Sequence, residues 1–143
     1  MTDHPGSASG YAMTVLVHGP FDDALSATRQ ALADQGFGVL TEIDMRATLK
    51  AKLDVDIAPQ VILGACRPPL AYAALQAEPS IGLLLPCNVV VRAADDGAVL
   101  VQALNPDIMV SMTGNPNLAA IATDASARLS AALDSLLPTH QRS

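Results

Sequence analysis

The sequence predicts a single α+β domain of two layers, in which helices pack on a sheet of about five strands. Five segments are rich in β-branched and aliphatic residues and are bounded by turn residues, as strands are. Between and after them, apolar residues recur three or four positions apart, which is the period of an amphipathic helix. The chain has 143 residues, 50% of them hydrophobic, which fits one domain with its own core.

Turn and capping residues divide the chain into short elements. Gly36 ends the first predicted helix, Asp44 caps the second, and the segment Ala94-Asp95-Asp96-Gly97 is a strong hairpin signal that makes the last two strands antiparallel. Because only a short helix joins the first two strands, we expect those strands to form a parallel or near-parallel unit. In chain order, the predicted elements are strand 13–18, a helix from Phe21, strand 38–43, a helix after Asp44, strand 60–65, helix 70–77, strands 82–92 and 98–104, and helices after Asn105 and Asn115.

The last predicted helix carries one apolar stripe, which we expect to lie across the sheet. The stripe consists of Leu118, Ile121, Ala122, Ala125, Leu129, Ala132, Leu133 and Leu136. Residues 11–137 contain no repeat and no linker, so we expect them to form one domain. A disordered leader, 1–10, precedes this domain and a flexible tail, 138–143, follows it.

Charge and composition argue against two classes of partner. The formal net charge is -6 and the only aromatic residues are two tyrosines and two phenylalanines, so we predict no nucleic-acid partner. The longest apolar run, 81–85, is far shorter than the ~20 residues that span a bilayer, so we predict no membrane partner. The first ten residues lack the basic and apolar regions of a secretory signal, which makes the cytoplasm the expected compartment.

The two cysteines mark the candidate site. Cys66 and Cys87 each close an apolar run and each lies next to proline, so both thiols are expected at strand ends where the backbone turns away. Burial as small apolar groups is the commonest fate of such thiols. A redox pair is an alternative, because thiols that stay reduced in the cytoplasm can react reversibly. A metal site would need further ligands such as His18, Glu42 or Asp44, because the close spacing of a zinc motif is missing.

Glu42 and Asp44 are the other titratable candidates. They lie two apart on a predicted strand and therefore share one face, where paired carboxylates can act as acid and base. The simpler interpretation is that Asp44 caps the following helix and Glu42 pairs with Lys50 or Arg46. A hydrolase or isomerase would require both carboxylates and His18 to line one cleft.

Several segments of the chain resemble the domain of unknown function 302 family. They are 36–44 (GFGVLTEID), 48–50 (TLK), 62–66 (ILGAC), 81–89 (IGLLLPCNV), 105–107 (NPD) and 114–116 (GNP). The resemblance covers about residues 12–137 and differs at Arg67, where members often carry asparagine before the proline. It implies a five-stranded, mainly antiparallel sheet with helices on one face. The implied order is one strand, one helix, four strands and one helix, with extra short helices. That topology is similar to the TATA-box-binding-protein-like class, and the likeness implies architecture only.

These observations predict a non-enzymatic module that binds a small molecule and assembles as a homodimer. The expected ligand-binding residues are Cys66, Cys87, Asn88, Glu42 and Asp44, and no catalytic residue, metal or cofactor is expected. The homodimer follows from two strands that are apolar on both faces, since a two-layer domain covers only one face of its sheet. An apolar ligand is the other way to cover that face. The alternative function is a thiol-dependent redox or metal-handling protein.

Overall fold

The computed structural model describes residues 10–142, which form five strands and five α-helices. The strands are β1 (Ala12–His18), β2 (Gly38–Asp44), β3 (Gln60–Cys66), β4 (Cys87–Ala93) and β5 (Ala98–Leu104). The α-helices are α1 (Phe21–Asp34), α2 (Met45–Leu53), α3 (Pro68–Ala77), α4 (Ile108–Thr113) and α5 (Ala119–Asp134). Short 3-10 helices cover Pro79–Leu84, Asp95–Gly97, Pro116–Leu118 and Thr139–Gln141. The predicted α+β class is confirmed.

The sheet has the strand order β1-β5-β4-β3-β2, and all neighbouring strands are antiparallel. The predicted hairpin joins β4 to β5. Strands β1 and β2 run in the same direction and are joined by α1, as predicted, but three other strands lie between them. Helix α1 crosses the sheet and delivers the chain to the far edge, and the three later strands fill the space between by antiparallel pairing.

The hydrophobic core lies between the sheet and the helices. Alternate residues of β3, β4 and β5 point into it, and Leu63, Val89 and Val101 have no exposed surface. From the helix side, Leu32 of α1 and Leu129 of α5 pack against them and are equally buried. Every residue of the predicted stripe on the last helix is buried or partly buried, which confirms that this stripe faces the core.

The apolar run before Cys87 is a 3-10 helix, which corrects the predicted strand at 82–92. Pro79 fits the first turn of that helix, and Pro86 has no amide hydrogen to donate to a sheet. The run also lacks the alternation of a strand: Ile81 is buried against Ala74, Met109, Leu118 and Ala122, whereas Leu83 is 87% exposed. Strand β4 therefore begins at Cys87, and this thiol stands at the start of a strand rather than at its end.

Among residues 10–142, helices α1 and α5 pack on one face of the sheet and leave much of the opposite face uncovered. Val90 and Leu100 are partly exposed there, in contrast to their buried neighbours along the strands. Polar groups share this face: the Arg92 Nε donates to Gln102 Oε1 at 2.9 Å, and Gln102 Nε2 donates to Thr14 Oγ1 at 3.2 Å. The face is thus apolar in part and crossed by one hydrogen-bonded row.

The chain termini were predicted to be a leader and a flexible tail. Residues 1–9 and 143 lie outside the described residues, so the prediction for the leader stays a prediction. In the tail, Thr139–Gln141 forms a 3-10 turn and Arg142 donates hydrogen bonds to the carbonyl oxygens of Leu137 and Ser135, each at 2.9 Å. Within residues 10–142, no helix has both the length and the apolar character needed to cross a bilayer.

Candidate functional site

Strands β3 and β4 bring the two cysteines together. In their antiparallel register Ala65 is the direct partner of Cys87, so Cys66 lies one position away from that pair. Cys66 is close enough to Cys87 to act on it electrostatically and to raise the pKa of its thiol. Both thiols are free and only partly exposed. The two cysteines thus lie near each other, at the last residue of β3 and the first residue of β4.

Cys66 and Cys87 line one small cavity between the end of the sheet and the helices. Its volume is about 30 Å³, which is more than the ~10–15 Å³ that a cavity needs to hold one water molecule. The wall is almost entirely apolar and consists of Phe37, Ala65, Cys66, Arg67, Leu70, Ala71, Ala74, Leu85, Pro86, Cys87, Met109, Ile121 and Ala125. Such a cavity accepts an ion or a very small molecule, and an organic ligand would require the wall to move.

The apolar surroundings change the acidity of one thiol. Burial raises the pKa of Cys87 above the ordinary value of cysteine, and the neighbouring Cys66 raises it further. Removal from water disfavours the charged thiolate, and a second negative charge nearby would disfavour it more. Cys87 is accordingly a protonated thiol at neutral pH, and an occupant that binds sulfur must displace its proton.

Arg67 is a charged residue in this wall that the sequence analysis did not select. Its Nε is buried and has no hydrogen-bond partner among residues 10–142. The side chain packs over Gly36, where an added Cβ would lie 3.1 Å from the Nε atom. Its position between Cys66 and two prolines, where the backbone must turn at the end of β3, could have indicated Arg67 as a site residue. A buried guanidinium N–H without a partner is costly, so an anionic occupant would be favoured beside it.

Met109 is another residue of the wall that the sequence did not indicate as part of a site. It belongs to the short helix α4, is 4% exposed and packs in the cluster with Ala74 and Ile81. A single methionine in a predicted helix has no pattern that separates a ligand from a core residue. Its thioether adds a third sulfur-bearing side chain to the cavity wall.

Asn88 does not belong to this cavity. Because side chains alternate along β4, it points to the opposite face of the sheet from Cys87, and its register partner there is Gly64. It lines a separate shallow groove on the uncovered face, together with Val90 and Gln102. The expected grouping of Asn88 with the thiols is therefore not found, because neighbours in sequence face opposite layers.

Glu42 and Asp44 also lie outside the cavity. Glu42 forms an ion pair with Arg29 of α1, which corrects the predicted pairing with Lys50 or Arg46. The reason is that β2 turns Glu42 toward the helix layer, where α1 runs, whereas Lys50 contacts Asp54 and Asp56 instead. Asp44 caps α2, as predicted, because its Oδ1 accepts the amide hydrogen of Ala47 at 2.9 Å.

The three-residue cleft required by a hydrolase or isomerase is not formed. His18 ends β1 at one edge of the sheet, whereas Glu42 and Asp44 lie in β2 at the other edge. With three strands between them, the edges are about 19 Å apart at the usual spacing of ~4.8 Å per strand. His18, Glu42 and Asp44 also do not join the two cysteines as ligands of a metal site. Among residues 10–142 no group of three or more His, Cys, Asp or Glu side chains could hold a metal ion.

The comparisons with known proteins agree with the geometry of the fold. The sequence model of the family described as Domain of unknown function DUF302 matches residues 13–136. The crystal structure of an uncharacterized conserved DUF302 protein from Bacillus stearothermophilus is similar, with a TM-score of 0.83 and 31% sequence identity, over 90% of this chain and 100% of that chain. No curated protein matches the chain. The chain therefore belongs to the DUF302 family.

Proposed function

We propose that this protein is a ligand-binding module whose binding centre is the pair of thiols in the cavity, and that it acts without catalysing a reaction. The observation that supports the proposal is that Cys66 and Cys87, at the ends of two neighbouring strands, both line the wall of one cavity. The side chains suited to acid and base chemistry, His18, Glu42 and Asp44, are absent from that wall. A pair of sulfurs without a neighbouring general base is better suited to binding than to turnover.

The size and polarity of the cavity restrict the ligand. The volume of about 30 Å³ and the apolar wall favour a small, poorly hydrated ligand over a hydrated ion or an organic molecule of ordinary size. Among the wall residues, the ones with polar or reactive side chains are Cys66, Cys87 and Arg67. These features favour a small ligand that bonds directly to sulfur.

Arsenite tests whether the two thiols bind one ligand together. Two S–As bonds form, two As–O bonds break and two water molecules leave when arsenous acid reacts with a pair of thiols. We expect intact-mass spectrometry under native conditions to show one arsenic per chain. Cys66→Ser and Cys87→Ser should each abolish the adduct, because a single thiol holds As(III) weakly. Arsenic uptake by the unfolded chain with none by the native protein would refute the proposal.

A reversible disulfide between Cys66 and Cys87 is a second candidate function, and the same adjacency favours it. A peroxide would accept two electrons, and the two thiols would lose two protons as the S–S bond forms. We expect peroxide treatment to lower the intact mass by two hydrogens and a dithiol reagent to restore it. Two thiols that remain titratable after peroxide treatment and unfolding would exclude this function.

The homodimer is part of the same proposal and rests on surfaces that the single chain leaves uncovered. No residue of β2 or α2 is buried, which is unusual for a paired strand and the helix that follows it. On the uncovered sheet face, Ile43 of β2 is 44% exposed and continues a row of apolar neighbours, Ile62 and Val90. A second copy related by a two-fold axis beside β2 would bury this row against itself.

A further inference from the structure

The cavity wall combines three sulfur-bearing side chains with one cation. Cys66, Cys87 and Met109 come from β3, β4 and α4, three elements far apart in the chain, and Arg67 follows Cys66 directly. On this basis we infer that the cavity binds Cu(I), with the two cysteines as thiolate ligands and Met109 as a third, weaker sulfur ligand. The two thiols release their protons to the solvent as the two Cu–S bonds form. The inference rests on the proposed function and departs from the sequence-based expectation that no metal binds.

The type and number of ligands distinguish Cu(I) from other metals. Thiolate and thioether sulfurs are soft ligands and select Cu(I), whereas Mg²⁺ and Ca²⁺ require oxygen ligands. A structural zinc site normally has four protein ligands, and residues 10–142 offer no group of three His, Cys, Asp or Glu side chains. Cu(I) accepts low coordination numbers, so a pair of thiolates with a nearby thioether is a sufficient set of ligands.

Charge balance supports the same metal. A monovalent cation with two thiolates carries a net charge of minus one, and such a charge is costly in an apolar wall unless an opposite charge lies beside it. Arg67 provides that charge, and its buried Nε lacks a hydrogen-bond partner among residues 10–142. A divalent cation with two thiolates would be neutral and would leave the guanidinium without an anionic neighbour. Arg67 is therefore a positioning and charge-balancing residue rather than a ligand.

The dimensions of the site fit a bare ion. The cavity of about 30 Å³ is apolar except for the thiols and Arg67, so an ion must shed its water to enter. Weakly hydrated, sulfur-seeking Cu(I) loses less on entry than a hard cation does. The surrounding Phe37, Leu85 and Ile121 side chains would then exclude water from the bound ion.

The test is a competition titration of the full chain, reduced and under anaerobic conditions, with Cu(I) against bathocuproine disulfonate. We expect one Cu(I) per chain by native mass spectrometry. X-ray absorption at the copper edge should show sulfur ligands only. Oxygen or nitrogen ligands, or no transfer of copper from the chelator at any ratio, would overturn the inference. The absorption measurement uses the unmodified chain and therefore stays decisive where a variant fails to fold.

Matched variants assign the roles of the individual side chains. Cys66→Ser and Cys87→Ser should each lower the Cu(I) affinity more than ~100-fold, beyond the 10- to 100-fold range typical of residues around a metal site. Met109→Leu conserves volume and should lower the Cu(I) affinity about 10-fold. The control is Met112→Leu, which should leave the Cu(I) affinity unchanged, because Met112 is 68% exposed and lies outside the wall. Arg67→Gln should lower the Cu(I) affinity ~10-fold or more. Equal affinities for the Met109 and Met112 variants would remove Met109 from the site.

The arsenite experiment separates the two proposals. Arsenite binding without Cu(I) binding would overturn the copper inference and leave the proposed function in place. Failure of both probes on the folded chain would overturn both. Circular dichroism of each variant confirms that a lost affinity does not reflect a lost fold.

Discussion

At the scale of single residues, the partner of a side chain depends on which layer its strand turns it toward. Glu42 was expected to pair with a basic residue of the helix that follows it, and it pairs with Arg29 of α1 instead. Both side chains of this ion pair are about two fifths exposed, at 39% and 43%, so the pair adds little stability. Asp44 was predicted correctly because a cap acts on its own helix and needs no tertiary information.

The raised pKa of Cys87 predicts a pH dependence of stability in the reduced, metal-free protein. The folded chain keeps this proton to a higher pH than the unfolded chain, whose cysteines titrate at about 8.5. The contribution to stability is therefore complete below that pH and is lost as the pH rises toward the folded pKa, by at most about 1.4 kcal/mol per pH unit. We expect urea unfolding to show this decline in the wild type. Cys87→Ala should show a shallower decline, and parallel curves would contradict the prediction.

Gly36 has two reasons to be glycine, which predicts a costly substitution. Its φ is +83°, in the left-handed region, and an added Cβ would lie 3.1 Å from Arg67 Nε. We expect Gly36→Ala to lower the free energy of unfolding by about 1–2 kcal/mol, the usual cost of a left-handed conformation for an L-residue. The control is Gly82→Ala, where no atom lies within 4 Å of the added Cβ. Equal effects of the two substitutions in denaturant titrations would refute this account.

At the scale of elements, local signals predicted most boundaries and failed where proline and packing intervene. Strands β1, β2, β3 and β5 agree with their predicted ranges to within one residue at each end, because alternating or continuous aliphatic residues are bounded by turn residues. The run 81–85 has the composition of a strand, yet it forms a 3-10 helix because Ile81 packs into the second cluster and Pro86 cannot donate to a sheet. Composition alone does not distinguish these outcomes.

Helix α2 is only partly packed against the rest of the chain, since none of its residues is fully buried. The cap from Asp44 should therefore matter more for this helix than for one that packs in the core. We expect Asp44→Ala to destabilise α2 by about 1 kcal/mol and to increase amide hydrogen exchange within Met45–Leu53. Asp44→Asn should retain protection, because asparagine caps about as well as aspartate. Arsenite binding should be the same for both variants, since Asp44 lies outside the cavity wall.

At the scale of the whole molecule, the uncovered sheet face and the exposed β2 edge predict self-association. We expect size-exclusion chromatography with light scattering to give the mass of a homodimer at micromolar concentration. Ile43→Asp places a charge in the apolar row and should yield a monomer. Leu83→Asp, in the 3-10 helix after α3, changes an even more exposed leucine outside that face and should leave the dimer intact. A monomer for the unmodified chain would remove the dimer from the proposal.

Local sequence patterns were sufficient to predict the fold class, most elements and the apolar stripe of the last helix, and they marked the two cysteines as candidates. These features follow from periodicity, capping and turn residues, which act over a few positions of the chain. Tertiary structure alone decided that β1 and β2 occupy opposite edges, that Asn88 and Glu42 lie apart from the thiols, and that Arg67 and Met109 join Cys66 and Cys87. The physical reason is that a shared cavity wall depends on strand order and on which layer each side chain faces, and both are settled only when the sheet and helices pack together.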